Sequence, residues 1–115
     1  MVQTELRWLD MLLSEGALDI LTYLKVNRVG QFTDFLKIRN KRTGNKFSPS
    51  TISARLDNLE QMQAIITTAI KTKRRRVLGY QVTEKGVEIL ETAYAFEKKL
   101  SQIIGSETKY KFREP

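Results

Sequence analysis

The chain has 115 residues, 41% hydrophobic and 29% charged, with 20 Lys and Arg against 13 Asp and Glu and neither cysteine nor histidine. Those two absences exclude disulfide scaffolds, thiolate and imidazole catalysis, zinc sites and pH- or thiol-based sensing, and no acidic run has calcium-loop spacing; the expectation is a non-enzyme with no cofactor and no metal. The longest apolar run, Ala93-Tyr94-Ala95-Phe96, falls far short of the roughly 20 residues that span a bilayer, and Glu5 and Asp10 interrupt any secretory leader, so a cytoplasmic protein with no membrane partner is expected.

The length suits one domain, taken as residues 1–105, followed by a polar basic tail at 106–115. Leu6, Leu9 and Leu13 recur at helical spacing with Trp8 and Leu12 beside them, predicting an amphipathic helix from about Thr4 to Ser14. Ser14 is the expected start signal of a second helix carrying Ala17, Ile20, Leu21 and Leu24, which stops after Asn27 ahead of a turn at Gly30. Thr33 is expected to cap a short helix running to about Arg39.

Asn40 to Phe47 has no apolar period and collects turn formers, predicting an exposed basic loop. Ser48-Pro49 then combines a capping hydroxyl with a residue whose fixed φ suits the first helical position, and a helix runs from Pro49 to about Met62. Its inward stripe is Ile52, Leu56 and Leu59. Ser50, Ala54, Asp57, Asn58 and Gln61 project the other way, with Thr51 and Arg55 on one flank.

Ile65 to Lys71 and Val77 to Thr83 predict a β-hairpin, and the connecting Thr72-Lys73-Arg74-Arg75-Arg76 lacks tight-turn residues, predicting a long solvated tip. Thr83 caps a last helix that ends at Gly105. Ile89, Ala93, Phe96, Leu100 and Ile103 follow the alternating spacing of a coiled-coil seam, and Val87, Leu90 and Tyr94 form a second apolar line. Two lines need two partners: either the same helix of a second subunit, or the chain's own core together with its N-terminal helix.

Charge is concentrated in the middle. From Lys25 to Arg76 the chain carries a net +10, and the remainder carries −3. A basic centre between mildly acidic helical ends is the pattern of a polyanion-binding face.

The segment Ser50-Thr51-Ile52-Ser53-Ala54-Arg55-Leu56-Asp57-Asn58-Leu59-Glu60 resembles the recognition helix of winged helix-turn-helix transcription regulators of the MarR, PadR and HxlR groups, and Tyr80-Gln81-Val82-Thr83-Glu84-Lys85-Gly86 resembles their wing strand entering the next helix. The likeness covers about residues 17 to 90. It departs at Gln63, where these families usually carry glycine, in the longer loop before Ser48, and in lacking the N-terminal cysteine of the HxlR group.

The resemblance implies a mostly α, α+β winged helix with N- and C-terminal dimerisation helices. It also implies a homodimer that regulates transcription on inverted repeats in double-stranded DNA. Ser50, Thr51, Ser53, Ala54, Arg55 and Asn58 would face the bases, Lys71, Lys73, Arg74, Arg75 and Arg76 the minor groove, and Lys41, Arg42, Lys46 and Ser48 the phosphates. Leu6, Leu9, Leu13, Ile89, Ala93, Phe96, Leu100 and Ile103 would form the dimer interface. A winged-helix protein-interaction module is the alternative, with the last helix as its binding surface. A small-molecule effector stays open, since an apolar cavity between subunits leaves no sequence signature.

Overall fold

Hydroxyl side chains fix the starts of two helices. In the computed structural model, which describes residues 5–105, Ser48 Oγ accepts a 3.1 Å hydrogen bond from the Thr51 amide, and Thr83 Oγ1 accepts one of 2.9 Å from the Gly86 amide. Each satisfies a first-turn N–H that has no partner within its own helix. In chain order the elements are α1 (Arg7–Leu13), α2 (Ala17–Asn27), β1 (Val29–Gly30), α3 (Phe32–Phe35), α4 (Pro49–Gln61), β2 (Ile65–Lys71), β3 (Arg76–Val82) and α5 (Glu84–Ile104). The strands form one antiparallel sheet in the order β1-β3-β2, with Gly30 opposite Tyr80 and Ile65 opposite Val82. The predicted mostly α architecture with a hairpin wing is what forms. β1 is the addition, too short for any alternation to reveal it.

α2 is the central element, packing on α1, α4, α5, β1 and β3 and burying Ala17, Ile20, Leu21 and Leu24. Ile52, Leu56 and Leu59 bring α4 onto the same core, and Phe35, Phe47, Ile65 and Leu90 complete it. Each fully buried aliphatic side chain contributes about 1.5–3 kcal/mol, against about 1 kcal/mol for a cap, so the stripes hold the helices while the caps set their ends. Tyr23, Phe35 and Tyr80 form an aromatic row, with centroids 5.7 and 5.9 Å apart at 80° and 58°, that ties α2 to α3 and β3.

Several local expectations are corrected. Ser14 does not start α2: it ends α1 in an extended conformation, its hydroxyl donating to the Asp10 carbonyl at 2.7 Å, and Gly16 at φ 92° takes the N-cap position of α2. Thr33 is not a cap either. Gln31 holds that position in a reciprocal box, its backbone amide donating to Asp34 Oδ2 at 2.8 Å, and the helix ends at Phe35, short of Arg39, which forms a β-bridge with Lys46. The wing tip is short, with pairing that continues to Lys71 opposite Arg76 and with the Thr72 amide and hydroxyl both donating to the Arg75 carbonyl at 2.9 and 2.8 Å. The expected α1 start at Thr4 and the tail from Ser106 to Pro115 lie outside the described residues.

α4 ends in a joint that joins three elements. Gln63 stands in the left-handed region at φ 60°, so that its amide reaches the Glu60 carbonyl and the Ala64 amide the Leu59 carbonyl, both at 2.9 Å. This is the bonding of a Schellman motif, built here on a residue other than the usual glycine. From the far side of the hairpin, Thr83 donates its amide to the Ala64 carbonyl at 2.9 Å and its hydroxyl to the Gln63 carbonyl at 2.7 Å, while Lys85 Nζ donates to Gln63 Oε1. Gly86 lies so close that a Cβ would collide with the Ala64 carbonyl oxygen. A side chain in the left-handed region costs on the order of 1–2 kcal/mol, partly offset in a glycine variant by the extra entropy glycine loses on folding. Gln63→Gly should therefore leave stability unchanged or raise it by up to about 1 kcal/mol, whereas the β-branched Gln63→Val should lower it by at least about 1 kcal/mol; denaturant unfolding of the three proteins measures the order.

Candidate nucleic-acid interface

The free face of α4 is polar. Ser50, Ser53, Asp57 and Glu60 are exposed, and Thr51, Ala54, Arg55 and Asn58 are half-buried along the flanks. At the N-terminus Ser48 Oγ lies 3.1 Å from Ser50 Oγ and donates to Thr51 Oγ1 at 2.9 Å, so three of the predicted contact residues form one hydroxyl cluster. Arg55 is placed differently from a free reader. Its Cγ would be 3.4 Å from a Cβ built on Gly16, its Nη1 donates to Asn58 Oδ1 at 3.1 Å, and its Nε is buried without a hydrogen-bond partner among the described residues.

The wing carries the densest charge. Lys71 and Arg76 face each other across the last ladder pair, and Lys73, Arg74 and Arg75 form the exposed tip. Like charges directly opposite on a sheet are destabilising, so the tip holds an unfavourable arrangement that a polyanion relieves. At the wing's base, burial and then the nearby Glu60 and Asp57 carboxylates push the Tyr80 phenol above its ordinary value. Tyr80 of β3 thus lies near enough to the acidic part of α4's exposed face to feel its charge, and its phenol stays protonated.

The loop before Ser48 is an organised turn, and sequence reading missed its hub. Asn40 is buried, with only 8% of its surface accessible. Its Nδ2 donates to Glu15 Oε1 and its Oδ1 accepts from the Arg42 amide, both at 2.8 Å, while its backbone bonds to Asn45 and Gly44 at 2.8 and 2.7 Å. Arg39 Nη1 donates to the Gly44 carbonyl at 2.9 Å, with Gly44 at φ 74°. Buried Phe47 anchors the exit, and Lys41, Arg42 and Lys46 remain exposed on this frame. The available signal was an Asn two residues ahead of a turn amide, an Asx turn; the Glu15 contact spans 25 positions and leaves none.

The α5 seam divides in two. Ile89 and Ala93 pack against the chain's own core, as does the buried Leu90 of the second line. Further along, Phe96, Leu100 and Ile103 are 46%, 36% and 37% exposed, and Tyr94 and Ile104 are exposed beside them. Leu6 at the N-cap of α1 and Leu13 at its end are exposed, and Leu9 is half-buried. Packing within the chain thus accounts for the first half of the seam only. Trp8, Leu9, Leu12, Met62 and Ile89 line a groove of about 640 Å³ between α1, the end of α4 and α5.

A helix running through a left-handed joint into a cationic hairpin, with a third strand closing the sheet and a long helix following, defines a winged helix. Solved structures of the same fold include a PadR-family transcriptional regulator from Eggerthella lenta (TM-score 0.62, 15% identity, over 83% of this chain and 82% of that one). A transcriptional regulator from Clostridium thermocellum superposes with TM-score 0.58 and 16% identity over 88% and 97% of the two chains, and a transcriptional regulator homologue from Pyrococcus horikoshii with 0.55 and 21% over 83% and 85%. No protein-family model and no curated protein matches the chain. Among the described residues no helix is long and apolar enough to cross a membrane, and no group of three or more carboxylates is placed to hold a metal ion.

Because Asn40 is buried and bonded on every side, Asn40→Ala should cost about 1–3 kcal/mol. Chemical denaturation gives the loss, and hydrogen exchange should show the Arg42 and Gly44 amides losing protection before the rest of the core.

Proposed function

We propose that this chain is a sequence-specific, double-stranded DNA-binding transcriptional regulator that acts in the cytoplasm as a homodimer on an inverted repeat. The observation that supports the reading is the polar, exposed face of α4 followed, through the Gln63 turn, by a hairpin whose tip is cationic. In this reading α4 enters the major groove with Ser50, Thr51, Ser53 and Ala54 near the bases. Lys71, Lys73, Arg74, Arg75 and Arg76 follow the neighbouring minor groove, and Lys41, Arg42, Lys46 and Ser48 hold phosphates. The free half of the α5 seam, with Leu13 of α1 and its N-cap residue Leu6, packs on a second copy. Two-fold symmetry then sets the recognition helices roughly 34 Å apart, one helical turn of DNA.

Each cation that neutralises a phosphate contributes about 0.9 to the slope of log affinity against log salt. Replacing Arg74, Arg75 and Arg76 with Ala should lower that slope by about 2 to 3 per wing and weaken all duplexes alike, as read by fluorescence anisotropy across a salt series. Binding indifferent to salt would exclude the cationic surface as a DNA contact and favour a protein-interaction module.

Dimerisation has its own test. Phe96→Glu with Leu100→Glu should give a monomer in sedimentation velocity, with the fold kept by circular dichroism. Its affinity for a two-half-site duplex should fall by about a hundredfold or more, because the second half-site no longer gains from effective concentration.

A further inference from the structure

Arg55 is the lone cation of α4, and the commonest specific contact of such a helix would be an arginine on guanine. The structure commits this arginine elsewhere. Its stem packs beside Gly16, and its guanidinium donates to Asn58 Oδ1 at 3.1 Å. A guanidinium carries donors only, so of the two ends of a carboxamide it can face only the oxygen. Arg55 therefore fixes which way the Asn58 amide is turned. Nδ2, which has no hydrogen-bond partner among the described residues, and the second lone pair of Oδ1 are left as an adjacent donor and acceptor on the half-exposed flank that also carries Thr51 and Ala54.

Adenine presents the complement in the major groove, N7 to accept and N6–H to donate; guanine presents two acceptors and leaves the amide oxygen unmatched. Resting on the DNA-binding reading above, we infer that Asn58 reads an adenine in each half-site and that Arg55 is a positioning residue, which sets the Asn58 amide without touching a base.

Selection of bound duplexes from a randomised pool, using the full chain, tests this. It is followed by anisotropy on the selected duplex and its single-base variants, with a thermal melt for every protein. The wild type should select adenine at one position per half-site. Asn58→Ala and Arg55→Met should each reduce that preference by about ten- to a hundredfold, leave random-duplex affinity and salt slope within about twofold, and show no further loss when combined. Asn58→Asp, which keeps a partner for Arg55 but offers acceptors only, should exchange adenine for cytosine; this keeps the test decisive if Arg55→Met does not fold. A guanine preference lost in Arg55→Met would make Arg55 a direct reader and overturn the assignment. So would uniform weakening with a shallower salt slope, the mark of a phosphate contact. A selective wild type whose preference survives Asn58→Ala overturns this inference alone, whereas a wild type that binds no duplex overturns the DNA-binding reading with it.

Discussion

The relative placement of α4 and the hairpin depends on one residue held in the left-handed region. Gln63 turns the chain through the left-handed region, and within two positions α4 has ended, β2 has begun and the start of α5 has been bonded to the turn through Thr83. A different φ at this residue would swing the hairpin away from α4 and take Tyr80 away from the carboxylates of Asp57 and Glu60. The conformational cost is met locally by hydrogen bonds to both carbonyls of the joint and by the close approach of Gly86. A surface made of two separate elements is thereby held as one piece.

What the sequence disclosed and what it concealed follow from the range of the interactions. Ile52, Leu56 and Leu59, the two strands and the caps at Ser48 and Thr83 were legible because periodicity and capping are local. Ser14 and Thr33 misled for the same reason: each is a competent cap, and the choice between neighbouring candidates was made by the left-handed Gly16 and by the Gln31–Asp34 box. The roles of Asn40 and Arg55 were hidden, since each depends on the turn between α1 and α2, far away in the chain. The α5 seam was visible as a pattern, yet spacing could not say that Ala93 packs inward while Phe96 faces outward.

The charged parts of the surface are built against their own stability. Lys71 opposes Arg76 at the end of a ladder, the tip adds further cations, and Arg55 keeps a buried nitrogen without a partner among the described residues. Arrangements of this kind persist where the surrounding structure holds them, as the strand ladder holds the wing and the bonds of Asn40 hold the loop. The rigid core is what allows its edges to carry unfavourable charge.

Trp8 has a use that follows from where it sits. The chain's single tryptophan lies half-exposed on α1 with the Arg7 guanidinium 4.6 Å from its ring centroid, on the rim of the groove shared with α5. Anything that covers that groove changes the water around the indole. Emission from this one fluorophore is a built-in optical gauge of the groove's occupancy, readable in the unlabelled protein.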